Sequence, residues 1–277
     1  MFTFAGKLHI NNFSCIMANV IKIKKGLDIN LKGKASDVLL NGGKSESYAI
    51  VPDYYNGIVP KVVAKVGEKV KAGSVLMIDK NRPEIKFVSP VSGEVTAVNR
   101  GEKRKVLSVV VKPEAQVEYE DFGKKNVASL KREEVKEAIL HAGMWPFIKQ
   151  RPYDIVAAPL DTPRDIFVSA FYSAPLAPNF DFIVKGQEAD FQTGLNALAK
   201  LTNGKVYVGV RSGSVVSGMK GVEIVEVEGP HPAANVGVQI NHIKPVNKGE
   251  VVWTVNPADV IVIGRLFNKG VADFSRM

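Results

Sequence analysis

The residues best suited to metal, redox and proton-transfer chemistry are few in this sequence. The chain has 277 residues, with a single cysteine, Cys15. One cysteine excludes an internal disulfide and an iron–sulfur cluster held by thiolates of this chain alone. The four histidines are His9, His141, His231 and His242. Their wide separation lacks the spacing of metal ligands. We therefore expect no catalytic centre and no metal site in this chain.

A glycine-rich phosphate loop is also missing. No Gly-x-Gly-x-x-Gly run follows a predicted strand, so a dinucleotide would lack its usual anchor. The nearest alternative is Ser212-Gly213-Ser214, after a predicted strand that ends at Val210, and such a run is more often an ordinary loop. We expect no bound cofactor.

Charge is distributed unevenly along the chain. Residues 1–105 contain 18 Lys and Arg against 9 Asp and Glu, whereas the remainder contains 19 of each. The whole net charge of +9 therefore lies in the first part of the chain. This pattern favours docking on an acidic protein or anionic lipid, or serves solubility alone. Nucleic acid is disfavoured because the lysines alternate with valines and no predicted helix concentrates them.

We expect neither a secretory signal at the start of this sequence nor a membrane span within it. No apolar run approaches the roughly 18–20 residues that span a bilayer. Residues 1–19 lack the apolar centre of a secretory signal, and we predict a disordered extension there, with Met17 as an alternative start. A cytoplasmic location fits these features and the single cysteine.

Residues 20–115 are predicted to form a β-domain. Val20 to Lys24 alternates apolar and polar residues, and further short strand patterns follow between Gly and Pro turns, which is typical of a small sandwich or barrel. Val66 to Leu76, with Asp79-Lys80 and Ser89 to Gly93, resembles a biotinyl/lipoyl carrier domain. Lys80 is displaced from the hairpin tip where carriers present their modified lysine. Acylation of Lys80 is therefore an alternative, with a surface lysine as the simpler interpretation.

The rest of the chain has a different pattern. Residues 116–150 are predicted to be a connecting helical segment, and residues 151–277 alternate strands and helices. The predicted strands include Val206 to Val210, and the predicted helices include Glu188 to Leu201 and Pro257 to Phe267. This order favours a mostly parallel sheet covered by helices, a Rossmann-like α/β domain.

Several sequence runs, in order from about residue 20 to 270, together resemble the A subunit of the Na+-translocating NADH:quinone reductases. They include Ile23 to Asp28, Val98 to Arg104, Ser173 to Ala177, Gly229 to Ala233, Val252 to Asn256 and Gly264 to Phe267. The resemblance implies the N-terminal portion of such a subunit, with a further C-terminal portion mostly absent.

The resemblance also implies a function. The expected role is that of a cytoplasmic subunit, without a redox centre of its own, in a pump that moves Na+ as electrons pass from NADH to ubiquinone or menaquinone. Its expected partners are the membrane-embedded subunits and quinone itself. A lipoyl- or biotinyl-type carrier and a free-standing flavoprotein are the alternatives.

The family resemblance places a former flavin loop at His141 to Lys149. Relatives that hold flavin mononucleotide have a glycine-rich phosphate cradle there. This sequence instead has bulky residues from Met144 to Phe147, so we expect no FMN.

Quinone, as the resemblance implies it, is a flat ring with two carbonyl acceptors, which favours aromatic walls and a few donors. Tyr54 and Tyr55 beside a turn offer one such cluster, and Trp145 and Phe147 offer another, narrowing the old flavin cavity into a ring-sized slot. The alternative interpretation is that both clusters pack between domains.

Overall fold

The structure is a computed structural model that describes residues 20–33 and 36–277. The extension predicted over residues 1–19 lies outside these described residues. In the part of the chain that the structure describes, no helix is both long and apolar enough to cross a bilayer.

Residues 20–113 contribute eight short strands, rich in valine and isoleucine alternating with polar residues. They are β1 (Val20–Lys22), β2 (Tyr48–Ile50), β3 (Pro60–Val62), β4 (Lys69–Val70), β5 (Val75–Asp79), β6 (Lys86–Val88), β7 (Gly93–Arg100) and β8 (Val106–Pro113). Strands β2, β8, β7 and β4 form one antiparallel sheet, and β3, β5 and β6 form another. These two sheets form the β-domain, with a valine-rich core that includes Leu76.

The second part of the chain alternates helices and strands. Its elements are α1 (Arg132–His141), β9 (Ile148–Arg151), β10 (Ile155–Val156), β11 (Ile166–Ser169), α2 (Phe180–Ile183), α3 (Glu188–Leu201), β12 (Val206–Val210), β13 (Glu223–Glu228), α4 (Val236–Ile243), β14 (Val252–Val255) and α5 (Pro257–Lys269). A seven-stranded sheet has the order β1-β13-β12-β11-β14-β9-β10. The first five strands of that order are parallel, β9 runs antiparallel to β14, and β10 runs antiparallel to β9. Helices α3 and α5 cover one face and α4 covers the other.

Strand β1 does not join either sheet of the β-domain. Val20 pairs in parallel with Glu226, so β1 is an edge strand of the seven-stranded sheet. Ile23, which follows it, packs with Val227 and Ala233 in a small cluster on that sheet. The alternating pattern correctly indicates a half-buried strand, but such a pattern cannot identify which sheet the strand joins.

Helix α5 begins beside β14 with strong local signals. The Asn256 side chain accepts a hydrogen bond from the Ala258 N–H at 3.0 Å, and Pro257 occupies the first helical position. Gly270 ends the helix in the left-handed region, with φ of 75°. These signals fix Asp259 in the first turn of α5.

Helices α3 and α5 approach so closely that glycine is required at the contact. A Cβ atom on Gly264 would overlap the carbonyl oxygen of Asp190, and one on Gly194 would overlap the carbonyl oxygen of Val260. This close approach holds α5, and therefore its first turn, firmly against the sheet.

Arg82 joins the two domains. Its guanidinium donates hydrogen bonds to the Asp79 carboxylate at 2.8 Å and to the Gly57 carbonyl oxygen at 2.8 Å, both in the β-domain. It also donates to the Val156 carbonyl oxygen of the α/β domain at 3.2 Å. The Asp79 side chain is 1% exposed, so Arg82 supplies the positive charge that this buried carboxylate needs.

Candidate functional site

A cavity of about 740 Å³ opens at the carboxyl ends of β11 and β14. From β11 the chain passes through α3 to β12 and then to β13, all on one side of β11, and α4 then returns it to β14 on the other side. Such a reversal of strand order leaves a crevice outside the carboxyl ends of the two strands, which is the usual ligand position in open α/β sheets. We call this space the main cavity.

Both domains contribute to its walls. From the α/β domain come Phe171 and Tyr172 after β11, Asn256 after β14, and the first turn of α4. From the β-domain comes the short 3₁₀ turn Pro52–Tyr54 with the residue that follows it. The main cavity is therefore an interdomain site.

Three of the four predicted aromatic residues line this cavity. Tyr54 and Tyr55 reach it from the β-domain, and Phe147 reaches it from the turn before β9. Tyr54 is 78% exposed, so it stands at the mouth, whereas Tyr55 and Phe147 are half-buried.

Trp145, which the sequence grouped with Phe147 as a candidate for the same site, does not line this cavity. Its side chain is wholly buried, with the indole N–H donating to the Ala157 carbonyl oxygen at 2.8 Å. It packs edge-on against Trp253 with ring centroids 5.5 Å apart. Because Trp145–Phe147 is a 3₁₀ turn, its residues point in different directions, and Trp145 enters the core.

Charged side chains form one wall of the main cavity. Lys149, Arg151 and Arg276 carry positive charge there, against the carboxylates of Asp154 and Asp259. Arg276 forms an ion pair with Asp259. Arg151 lies 3.4 Å from the Asp154 carboxylate. With three cations and two anions, this wall favours electron-rich oxygen atoms on a ligand.

Burial shifts the proton affinities of these groups. Desolvation raises the pKa of Asp259 to about 6, although the charges of Arg276 and Lys149 oppose the shift. Burial also lowers the pKa of Lys149, whose Nζ lies 4.9 Å from the Tyr55 ring centroid. The pKa of Tyr55 is raised, first by burial and then by Asp259. The Tyr55 phenol therefore keeps its proton at neutral pH and can donate a hydrogen bond.

A smaller cavity of about 170 Å³ adjoins the main cavity. We call it the aromatic slot, because Tyr55, Phe87, Phe147 and Phe274 line it. The rings of Tyr55 and Phe87 meet edge-on at 4.8 Å, and those of Phe147 and Phe274 at 6.0 Å. The slot shares part of its lining with the main cavity, including Arg276.

Sequence reasoning missed several residues of this site. Asp259 could have been predicted from the sequence. Pro257 marks the start of a helix directly after a strand, so an acidic residue in the first turn lies beside the end of that strand. Phe274 and Arg276 follow the last helix, where no periodic pattern indicates the path of the chain. Lys149 carried no signal, since its burial depends on Tyr55 from the other domain.

The stretch from His141 to Lys149, which the sequence resemblance compared with a flavin loop, has several of its backbone donors paired. The N–H groups of Gly143, Met144 and Phe147 donate to carbonyl oxygens within residues 139–144. A Cβ atom on Gly143 would overlap the Val88 side chain of the β-domain. This stretch is therefore packed against β6 and offers no open cradle of N–H groups.

Two further features that the sequence raised are metal binding and Lys80. Among the residues that the structure describes, no group of three or more His, Cys, Asp or Glu side chains could hold a metal ion. Lys80 is exposed and directly follows β5, with its backbone N–H bonded to the Val59 carbonyl oxygen at 2.7 Å. It therefore stands at the start of the β5–β6 connection.

Fold and site together define a two-domain class, in which a carrier-like β-domain packs on an α/β domain and a cavity lies between them. Two family models match the chain: the NqrA N-terminal barrel-sandwich hybrid domain over residues 21–114, and the NqrA second alpha/beta domain over residues 130–272. The chain belongs to the NqrA family, the A subunits of the Na+-translocating NADH-quinone reductases, as its resemblance in sequence implies.

Individual relatives agree with this family. The chain is 39% identical over 263 residues to the A subunit of the Na+-translocating NADH-quinone reductase of Hahella chejuensis, covering 93% of this chain and 59% of that protein. It is 38% identical over 255 residues to the same subunit of Photorhabdus laumondii, covering 91% and 57%. For the Neisseria meningitidis protein the identity is 37% over 262 residues, covering 93% and 59%. The chain thus spans somewhat over half the length of these relatives.

Proposed function

We propose that this chain acts as the NqrA component of a Na+-translocating NADH:quinone reductase and that it binds quinone at the interdomain site. The relatives carry that activity in their names, and the chain shares their first two domains. The observation that carries the quinone role is the convergence of Tyr55 and Phe147 with Lys149 and Arg276 around one cavity.

The chemistry of quinone fits this arrangement. Its ring presents two flat apolar faces, which aromatic side chains such as Phe147 can cover. Its two carbonyl oxygens only accept hydrogen bonds, and the cavity offers donors in Lys149, Arg276 and the phenol of Tyr55. In this proposal the chain binds and orients quinone, and the electrons come from cofactors held by partner subunits.

We also propose that the α/β domain is Rossmann-like and that its flavin site has been lost. The reversal of strand order between β11 and β14 supports the first part. The occupied N–H groups around Gly143 support the second. No FMN is expected on this chain.

Partners in this proposal are membrane-embedded subunits, which hold the chain at the cytoplasmic face of the membrane. The basic excess of residues 1–105 supports an electrostatic contact with an acidic partner surface. Lys103 and Arg104 at the β7–β8 turn are exposed and suit such a contact. Replacing both by glutamate should weaken binding to membranes that contain the partner subunits, and wild-type binding should fall as salt rises. Binding that is insensitive to both would refute this docking face.

The quinone role is tested by titrating the chain with a short-chain quinone and following the fluorescence of its two tryptophans, Trp145 and Trp253. Phe147→Ala should weaken binding about tenfold, because it removes one aromatic face of the site. Phe182→Ala is the matched control, since Phe182 is also half-buried but lines neither cavity. Equal affinity of the two variants, or no saturable binding to the wild type, would reject the quinone site.

A further inference from the structure

The aromatic slot and the main cavity are two compartments of one site. They share four lining residues, Tyr55, Pro146, Phe147 and Arg276. The main cavity opens to solvent past Tyr54, and the slot lies between the β-domain and the turn before β9. A single ligand can therefore extend from one compartment into the other.

The size of the slot selects a single ring. An apolar cavity of about 150 Å³ is enough to hold one benzene molecule. The slot has about 170 Å³ and presents four aromatic side chains to its contents. The main cavity, at about 740 Å³, is too large to hold one flat ring on both faces, but it has room for a flexible chain along its uncharged side, which is lined by Phe171, Tyr172, Val236 and Val238. Ring and chain are thus suited to different compartments.

Arg276 stands where the two compartments meet. Its guanidinium carbon lies 5.6 Å from the centroid of the Phe147 ring, and one of its nitrogens is paired with Asp259. The Arg276 side chain is 47% exposed, whereas that of Asp259 is 12% exposed. A guanidinium has five N–H donors, so Arg276 can keep one on Asp259 and direct another into the slot.

We infer that the aromatic slot takes the ring of a single-ring quinone, that Arg276 donates a hydrogen bond to one carbonyl oxygen of that ring, and that the main cavity takes the apolar tail. This inference rests on the proposed quinone function and assigns the orientation of the ligand within the site. Arg276 is a binding and positioning residue in this arrangement.

The experiment compares ligands of one series on three proteins. The probes are 2-methyl-1,4-benzoquinone, the same ring with a decyl tail, and 2-methyl-1,4-naphthoquinone, which adds only a second ring to the first probe. The proteins are the wild type, Ile50→Phe, which fills the slot from β2, and Gly237→Phe, which fills the main cavity. Gly237 suits this purpose because a Cβ atom there meets nothing within 4 Å.

For the wild type we expect the decyl ring to bind at least about tenfold more tightly than the tailless ring. The naphthoquinone should bind about tenfold more weakly than the tailless benzoquinone, because its second ring overfills the slot. Ile50→Phe should weaken the tailless ring about tenfold or more, whereas Gly237→Phe should leave it within about twofold and abolish the gain from the tail.

The outcomes separate the inference from the proposed function. If no quinone binds the wild type, the proposed function fails. If quinones bind and Gly237→Phe, but not Ile50→Phe, weakens the tailless ring, the function stands and the slot assignment is overturned. Should Ile50→Phe fail to fold, Phe274→Ala replaces it, since removing that wall should weaken the tailless ring about tenfold. Unchanged affinity in Phe274→Ala would then overturn the assignment.

The role of Arg276 needs a readout that a packing role would not move. Arg276→Gln removes the charged donors, so it should weaken the tailless quinone about tenfold while leaving binding of tetramethylbenzene, a ring without carbonyl groups, unchanged. Equal weakening of both ligands would assign Arg276 a packing role and overturn the hydrogen bond.

Discussion

Asp259 should make the free energy of unfolding fall as the pH rises from about 4 to about 6. In the folded chain burial raises the pKa of this carboxyl from 3.8 to about 6. In the unfolded chain the group loses its proton near the ordinary value. Between these two pH values the folded state therefore binds a proton that the unfolded state has released. Stability from this group is complete at low pH and is lost as the pH rises through about 6.

The magnitude follows from the interval between 3.8 and about 6. A tenfold difference in proton affinity corresponds to about 1.4 kcal/mol, so the whole interval corresponds to about 3 kcal/mol. The variant Asp259→Asn cannot titrate at this position. The free energy of unfolding of Asp259→Asn minus that of the wild type should therefore increase by up to about 3 kcal/mol between pH 4 and pH 7.

The assay is urea unfolding of both proteins at a series of pH values, followed by tryptophan fluorescence. Any constant difference between them reports the loss of the pairing with Arg276 and packing changes, so only the slope with pH is used. Glu94→Gln, on the exposed face of β7, controls for removing one negative charge. Parallel curves for wild type and Asp259→Asn would refute the account of a carboxyl protonated by burial.

Three further substitutions test the framework by thermal or urea unfolding. Trp145→Phe should lower the free energy of unfolding by about 2 kcal/mol, because the buried carbonyl oxygen of Ala157 loses its hydrogen-bond donor. Quinone affinity should stay unchanged, and a loss of affinity would show that Trp145 contributes to the site. Gly264→Ala should cost about 1–3 kcal/mol, since the added methyl overlaps the backbone of Asp190; a neutral effect would contradict the close contact of α3 and α5. Arg82→Ala should lower the free energy of unfolding by about 3–5 kcal/mol, because the buried carboxylate of Asp79 loses its countercharge. A change below about 1 kcal/mol would contradict the role of Arg82 in joining the two domains.

Local signals in the sequence predicted much of the fold. The helix predicted from Glu188 to Leu201 has those limits in the structure, and the strand from Val206 to Val210 does as well. Such signals act over a few residues, so they identify an element but not its partner. The strand at Val20 was therefore recognised, while its place at the edge of the larger sheet was not.

The site was predictable where a local cluster of aromatic residues reaches the cavity. Tyr54, Tyr55 and Phe147, which the sequence offered as parts of two separate aromatic clusters, line one cavity, and their role in binding stays a prediction. Trp145 was misplaced, because the direction of each side chain in a 3₁₀ turn depends on tertiary packing. Arg276 was missed since its place depends on the path that the chain takes after the last helix.

Covalent labelling with a photoreactive azidoquinone tests the central claim most directly, since it reports where the ligand lies. After illumination and digestion, mass spectrometry should find the label on peptides that contain Tyr55, Phe147 or Arg276. An excess of unreactive quinone should suppress that label. Label that is confined to other parts of the chain, or that competition does not reduce, would contradict a quinone site between the two domains.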